Sequence, residues 1–325
     1  MGENLTLVQA VRDGLRDEMA EDDDVLVMGE DVGKNGGVFR ATEGLYDEFG
    51  EERVIDTPLA ESGIVGTAIG MAAYGLKPVP EIQFSGFMYP GFDQIVSHMA
   101  RLRTRSRGRF TCPMVLRAPF GGGIRAPEHH SESKEAFYVH EAGLKVAIPS
   151  TPHDAKGMLI AAIRDPDPVI FLEPKKIYRA FREEVPDGPY EVELGEAAVR
   201  REGSDVSVFT WGAMTRPTVE AAENMAGDVD VEVVDLRTLS PLDEETIVSS
   251  FEKTGRAAIV HEAPKTAGVG AEITATLQEE ALLHQEAPVK RVTGFDVPFP
   301  LAALEDYYLP EPERIESGIR ETVEF

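Results

Sequence analysis

Apolar residues along this chain recur with two alternating periods. Thr6-Leu7-Val8-Gln9 has the form of a capping box, and Val8, Val11, Leu15 and Met19 follow at helical spacing, so the first element is predicted to be a helix. A short apolar run over 25–28 predicts a strand ending in Gly29-Glu30-Asp31, after which Gly33, Gly36 and Gly37 predict a mobile loop. Strands and helices then alternate: a strand over 54–56, a glycine-rich helix beginning near Glu61, a strand over 79–84, and a helix presenting Phe92, Ile95, Val96, Met99 and Leu102 on one face. Further strands are predicted over 113–117, 146–149 and 169–173, with Thr151-Pro152 capping a helix that has proline at its first position. Strands separated by helical crossovers imply a mainly parallel sheet covered on both faces.

Between about 174 and 195 this alternation lapses into Pro174, Pro186, Asp187, Gly188 and Pro189 with mixed charge. It restarts with strands expected over 206–211, 231–236, 257–261 and 289–292. The expected organisation is therefore two α/β domains with mainly parallel sheets: 1–180, a linker over 181–195, and a smaller domain over 196–325. A chain of 325 residues with 42% hydrophobic content has enough apolar material for two cores.

Charge narrows the class of partner. The formal net charge is −26, from 58 acidic against 32 basic residues, which argues against nucleic acid or an anionic membrane surface. Acids are spread through the chain, as in Glu21-Asp22-Asp23-Asp24 and Asp243-Glu244-Glu245. Such a surface suits high salt, where screening removes self-repulsion; an acidic dock for a basic partner is the competing reading. The longest apolar run, 64–76, is interrupted by Gly66, Gly70 and Gly75 and falls short of the roughly 20 residues of a membrane span. With no leader pattern at the N-terminus, a soluble cytoplasmic protein is expected. The single cysteine, Cys112, excludes an internal disulfide and a four-thiolate cluster.

Two segments carry candidate chemistry. Thr57-Pro58-Leu59-Ala60-Glu61-Ser62-Gly63 places one carboxylate at a strand-to-helix switch, and Gly63, Gly66 and Gly70 leave a helix that another backbone can approach closely. In such a seam Glu61 is a candidate acid/base with a raised pKa; alternatively it complements the helix dipole, an effect worth about 0.3–1 kcal/mol. The second segment, Pro119-Phe120-Gly121-Gly122-Gly123 through His129-His130-Ser131, follows a strand and so lies at the carboxyl edge of a parallel sheet, where such sheets bind ligands. Its histidines are candidate proton carriers or inert loop residues. Phe84, Phe87 and Tyr89 form an aromatic cluster at another such edge, able to face a planar ring or to join the core.

Other signals are weaker. Arg101, Arg103, Arg105, Arg107 and Arg109 form a dense positive patch that could bind an anion or neutralise acids across a subunit boundary. Gly268-Val269-Gly270 begins like a dinucleotide fingerprint, but Ile273 stands where the third glycine belongs. No phosphate-binding loop, nucleophile elbow or H-E-x-x-H is present, which disfavours nucleotide hydrolysis, serine hydrolysis and a catalytic zinc.

In combination and in this order, Gly29-Glu30-Asp31-Val32, Asp56-Thr57-Pro58-Leu59-Ala60-Glu61, residues 81–94, residues 121–133 and His261-Glu262-Ala263-Pro264 resemble the β subunit of the thiamine-diphosphate-dependent decarboxylase component of 2-oxo acid dehydrogenase complexes. The family includes pyruvate and branched-chain 2-oxo acid dehydrogenases. The resemblance implies a pyrimidine-binding domain followed by a transketolase-type C-terminal domain. It also implies that Glu61 hydrogen-bonds the cofactor's aminopyrimidine, that Phe87 packs on that ring, that Glu30 is a further cofactor-binding position, and that His130 assists acyl transfer to the lipoyl group. His129 matches no family ligand. Met114, Ala162, Asp165 and Asp167 occupy positions similar to those whose backbone carbonyls bind potassium in relatives.

This superfamily holds magnesium diphosphate through a G-D-G motif and paired asparagines. The chain has no G-D-G, and Asn4, Asn35 and Asn224 are nowhere adjacent. The expectation is half an active site, completed in an α2β2 assembly by an α subunit that binds the magnesium. The acidic C-terminal region, including Glu286 and Phe325, resembles the part that holds the basic subunit-binding domain of the lipoyl-bearing acyltransferase. The expected activity is oxidative decarboxylation of a 2-oxo acid; the alternatives are an acetoin dehydrogenase β subunit and a non-catalytic structural β subunit.

Overall fold

In the computed structural model, which describes residues 2–325, eight strands precede residue 190. They are β1 (Gly2–Leu5), β2 (Val25–Gly29), β3 (Val54–Asp56), β4 (Lys77–Glu81), β5 (Val115–Phe120), β6 (Lys145–Ala147), β7 (Val169–Pro174) and β8 (Glu183–Pro186). Six follow: β9 (Ala198–Arg201), β10 (Val206–Thr210), β11 (Val231–Asp235), β12 (Thr238–Ser240), β13 (Ala257–Pro264) and β14 (Lys290–Gly294). The first sheet has the order β12-β6-β7-β5-β4-β2-β3 and the second β14-β13-β10-β11-β9. All neighbours are parallel except the edge pairs β12–β6 and β11–β9.

The first sheet is buried on both faces, as the near-continuous apolar runs require. Val115, Val169 and Phe171 face one core cluster, whereas Leu116, Ile170 and Leu172 face the other. The first cluster receives helix Leu7–Glu21, whose Val8, Val11, Leu15 and Met19 are all buried, packed against helix Pro152–Arg164. The capping box at Thr6 and Gln9 forms as predicted, and Thr151 accepts a hydrogen bond from the Asp154 N–H at 3.1 Å. The opposite cluster receives helix Glu61–Tyr74 through Ile64, Val65, Ala68, Ile69 and Ala72.

The structure departs from the pattern-based reading in four places. The helix expected to present Phe92 through Leu102 on one face is not a single α-helix: after a 3-10 segment Ser85–Gly91 come a π-helical turn Gln94–Met99 and a short α-turn Leu102–Arg105. In the 3-10 segment a Cβ on Gly86 would lie 2.1 Å from the His129 carbonyl. The loop after β2 is tied down, with the Gly33 N–H donating to Asp56 at 2.6 Å and the Thr42 hydroxyl to the Val32 carbonyl at 2.6 Å. Inside residues 181–195, strand β8 pairs antiparallel with β1. Finally, β12 crosses from the second half of the chain to extend the first sheet. Short strands carrying charges, such as β1 and β8, give almost no periodic signal.

Candidate functional site

Four adjacent strands, β5-β4-β2-β3, bring their carboxyl ends together, and each delivers one piece of the candidate site. Glu30 follows β2, Glu61 opens the helix after β3, Phe84 and Phe87 follow β4, and the loop 121–133 follows β5. Glu30 and Glu61 are half-buried. The Glu30 carboxyl is pushed above the ordinary range by burial first, then by the charges of Asp31 and Glu61, so the two glutamates share one electrostatic neighbourhood. Segment Ser85–Gly91 lies on the first turn of the Glu61 helix: a Cβ on Gly91 would stand 3.4 Å from the Glu61 carbonyl oxygen.

That segment carries Phe87 into contact with both histidines. Ring centroids are 4.6 Å apart for Phe87–His129 and 5.0 Å for Phe87–His130, both edge-to-face, and Phe84 lies 4.8 Å from His130. His130 Nδ1 is buried and has no hydrogen-bond partner among the described residues. Burial, then the neighbouring His129 and Lys175, lower the His130 pKa and favour its neutral form. His129 Nδ1 is 3.8 Å from Glu132, which also accepts the Tyr89 hydroxyl at 2.8 Å.

Several supporting residues were invisible to sequence reasoning. Below the edge, Arg117 on β5 joins Glu81 on β4 at 3.1 Å and Glu173 on β7 at 2.6 Å, and Tyr178 donates to Glu173 at 2.6 Å. Gln83 bonds Glu81 at 3.1 Å and the Glu30 carbonyl at 2.7 Å, linking this network to the site. The second domain grips the histidine loop: Glu262 accepts the Gly122 N–H at 2.8 Å, and Glu305 the Arg125 N–H at 3.0 Å. Lys175 donates to the Gly121 carbonyl. Gly121 has φ +77°, and a Cβ there would lie 2.4 Å from a Glu262 oxygen, so this close approach needs glycine.

Other expectations are corrected. The glycines of helix Glu61–Tyr74 do not wall Glu61 into a seam within this chain. Ser62, Gly63, Thr67 and Gly70 are exposed, and a Cβ on Gly70 would meet nothing within 4 Å, because no other element of this chain covers that face. Two of the five arginines in the positive patch neutralise acids of the same chain, Arg101 with Glu141 at 2.8 Å and Arg103 with Asp167 at 2.6 Å. Gly268 and Gly270 make room for His261, which stacks on Trp211 with centroids 5.1 Å apart. The Cys112 thiol is buried and pushed up to about 12.

Met114, Ala162, Asp165 and Asp167 stand around the turn into β7. The Met114 carbonyl accepts the Val169 N–H at 3.0 Å and the Ala162 carbonyl that of Asp165 at 3.3 Å, each keeping a second lone pair. Lys145 pairs with Asp165, and the Asp167 N–H caps Asp165 at 2.8 Å. Among the described residues no cluster of three or more His, Cys, Asp or Glu side chains is arranged to hold a metal.

Known proteins share the two-domain fold. The transketolase pyrimidine-binding domain family matches residues 3–180 and the transketolase C-terminal domain family residues 195–315. The pyruvate dehydrogenase E1 component subunit beta of Bacillus subtilis (strain 168) is 53% identical over 322 residues, covering 99% of each chain. This chain belongs to the family of 2-oxo acid dehydrogenase β subunits. The family member from Acholeplasma laidlawii, with the same description, is 52% identical over 317 residues and 97% of each chain. The fold is shared more widely: a split-gene transketolase, an inactive β4 tetramer, superposes with a TM-score of 0.80 at 22% identity over 99% of both chains. The family places the chain among oxidoreductases of the 2-oxo acid dehydrogenase type. No helix among the described residues is long and apolar enough to cross a membrane.

Proposed function

We propose that this chain, joined to an α subunit in an α2β2 assembly, takes part in thiamine-diphosphate-dependent oxidative decarboxylation of pyruvate and passes the acyl group to the lipoyl group of an acyltransferase. The observation that carries the reading is the convergence of Glu30, Glu61, Phe87 and an unpartnered His130 nitrogen at one sheet edge. The names of the relatives favour pyruvate over a branched-chain 2-oxo acid or acetoin.

The residues present fit the aminopyrimidine half of the cofactor: an aromatic face, an acid at a helix start and an imidazole with a free buried nitrogen. Thiamine diphosphate, when bound, supplies an electron sink that protein side chains lack. Glu61 would hold a proton at the pyrimidine nitrogen, and Phe87 would orient the ring. Glu30 would line the same pocket beside Glu61, its carboxyl raised by burial and by the neighbouring charges of Asp31 and Glu61. His130, neutral, would exchange a proton during acyl transfer. Magnesium belongs with the α subunit. Potassium would take the carbonyl oxygens of Met114, Ala162, Asp165 and Asp167 and brace the turn into β7.

The exposed glycine face beside Glu61 suits coverage by the α subunit. The subunit-binding domain of the acyltransferase would meet the acidic C-terminal region; Glu286 pairs there with Arg256 at 2.7 Å, and Phe325 is exposed. A net charge of −26 supports salt adaptation. The domain division is taken as 1–180 and 196–325, joined by 181–195.

The test is to co-express the chain with its α subunit and assay pyruvate, 3-methyl-2-oxobutanoate and acetoin with an artificial electron acceptor. Pyruvate is expected to turn over fastest. Glu61→Gln should assemble normally and lose about 10²–10⁴ in turnover. Unchanged turnover in that variant would leave only a structural β subunit.

A further inference from the structure

Lys175 directly follows β7, in the turn Lys175–Ile177, and its side chain is buried between the two domains. Its amine donates to the Gly121 carbonyl and lies 5.4 Å from the centroid of the Phe84 ring, which in turn lies 4.8 Å from the His130 imidazole. Glu262 and Glu305, both buried and both from the second domain, supply the negative charge facing it. These same acids accept the N–H groups of Gly122 and Arg125. One ammonium and two carboxylates thus grip three backbone points of the loop that delivers His130.

We propose that Lys175 is a positioning residue for His130: it fastens the 121–133 loop to the seam between the domains and sets its ammonium against Phe84, whose ring contacts the imidazole. This rests on the assignment of acyl transfer to His130 given above. Burial lowers the Lys175 pKa to about 8, which leaves the amine mostly protonated at neutral pH. The charged and titratable groups facing His130 are His129 and Lys175, which disfavour its protonation, and Glu128, which favours it. Phe84 and Phe87 supply the apolar wall.

The experiment uses the assembled α2β2 enzyme and follows acyl transfer to free lipoamide against pH, with decarboxylation measured in parallel by an artificial acceptor. Lys175→Gln keeps a donor for the Gly121 carbonyl but removes the charge. The two ring contacts place amine and imidazole within about 10 Å, so the lost charge should raise the His130 pKa, with burial and His129 still holding it down. The acid limb of the transfer profile should move to higher pH, with KM for pyruvate unchanged. Lys175→Met, which also removes the donor, should show the same shift and a plateau about tenfold lower. If the Met variant does not assemble, the Gln variant alone decides. A Gln profile superimposed on that of the parent would overturn the proposal. In the control, His130→Ala should abolish transfer; if transfer persists, the assignment of His130 itself fails, whatever the Lys175 variants do.

Discussion

Replacing Arg117 by Met should test the buried network beneath the site most directly. The guanidinium is 1% exposed and stands between Glu81, 2% exposed, and Glu173, 0% exposed, on the two flanking strands. Methionine fills similar volume but leaves two buried carboxylates with no cation between them. Breaking a buried ion pair from one side costs about 3–5 kcal/mol. For a domain of this size that corresponds to a fall in Tm on the order of 10 °C. The loss should depend on pH in a definite sense. Burial already pushes the Glu81 carboxyl up, Arg117 opposes this, and the Glu173 charge reinforces it, so removing Arg117 drives the folded-state pKa further up. A carboxyl whose folded pKa lies above its unfolded value of about 4.3 destabilises increasingly as pH rises from that value through the folded one. The deficit should therefore be smaller at pH 5 than at pH 8, read by calorimetry of the assembled enzyme at both. Adding Glu173→Gln should recover roughly half, since one charge is then gone and Tyr178 keeps an acceptor. A deficit independent of pH, or one below about 1 kcal/mol, would refute the argument.

Two further variants probe the second domain and its seam. Glu135 is buried and pushed up to about 7, by burial first and then by the Glu262 charge, so it costs stability as pH climbs from its unfolded value to about 7. Glu135→Gln should flatten that slope and gain on the order of 1–3 kcal/mol at pH 8 in urea titrations; an unchanged slope would contradict the assignment. Gly270→Ala would place a Cβ 2.9 Å from His261 Nε2, and should cost about 1–3 kcal/mol by overpacking. It should also alter the fluorescence of Trp211, the only tryptophan, on which His261 stacks; unaltered emission would show that the pair had not been disturbed.

Local chemistry made part of the site legible. The capping box at Thr6, the proline-led helix after Thr151 and the start of a helix at Glu61 all depend on neighbours within four residues, and all occur as predicted. Phe87 and the paired histidines were singled out because each follows an apolar strand, and the structure brings them into ring contact. The stretch from Phe92 to Leu102 was read as one α-helix because its apolar spacing fits that period, which does not distinguish an α-turn from the wider turn at Gln94–Met99. The glycine helix was read as a closed seam, although glycines report only that close approach is allowed, not which chain makes it. Arg117, Glu173 and Lys175 gave no signal, because a buried charge and a solvated one are the same letter until its partner is located.

What the amino-acid order determined by itself was therefore periodic and local: the alternation of strand and helix, two α/β units, and the loops that must emerge at carboxyl edges. Which of those loops meet was decided by the strand order β5-β4-β2-β3, and this depends on how the crossovers wind. The tertiary structure alone also decided the ion pairs and the cross-domain grip. Glu262 reaches Gly122 across 140 residues and Glu305 reaches Arg125 across 180, separations over which side-chain periodicity carries no information and only the packed core sets the distance.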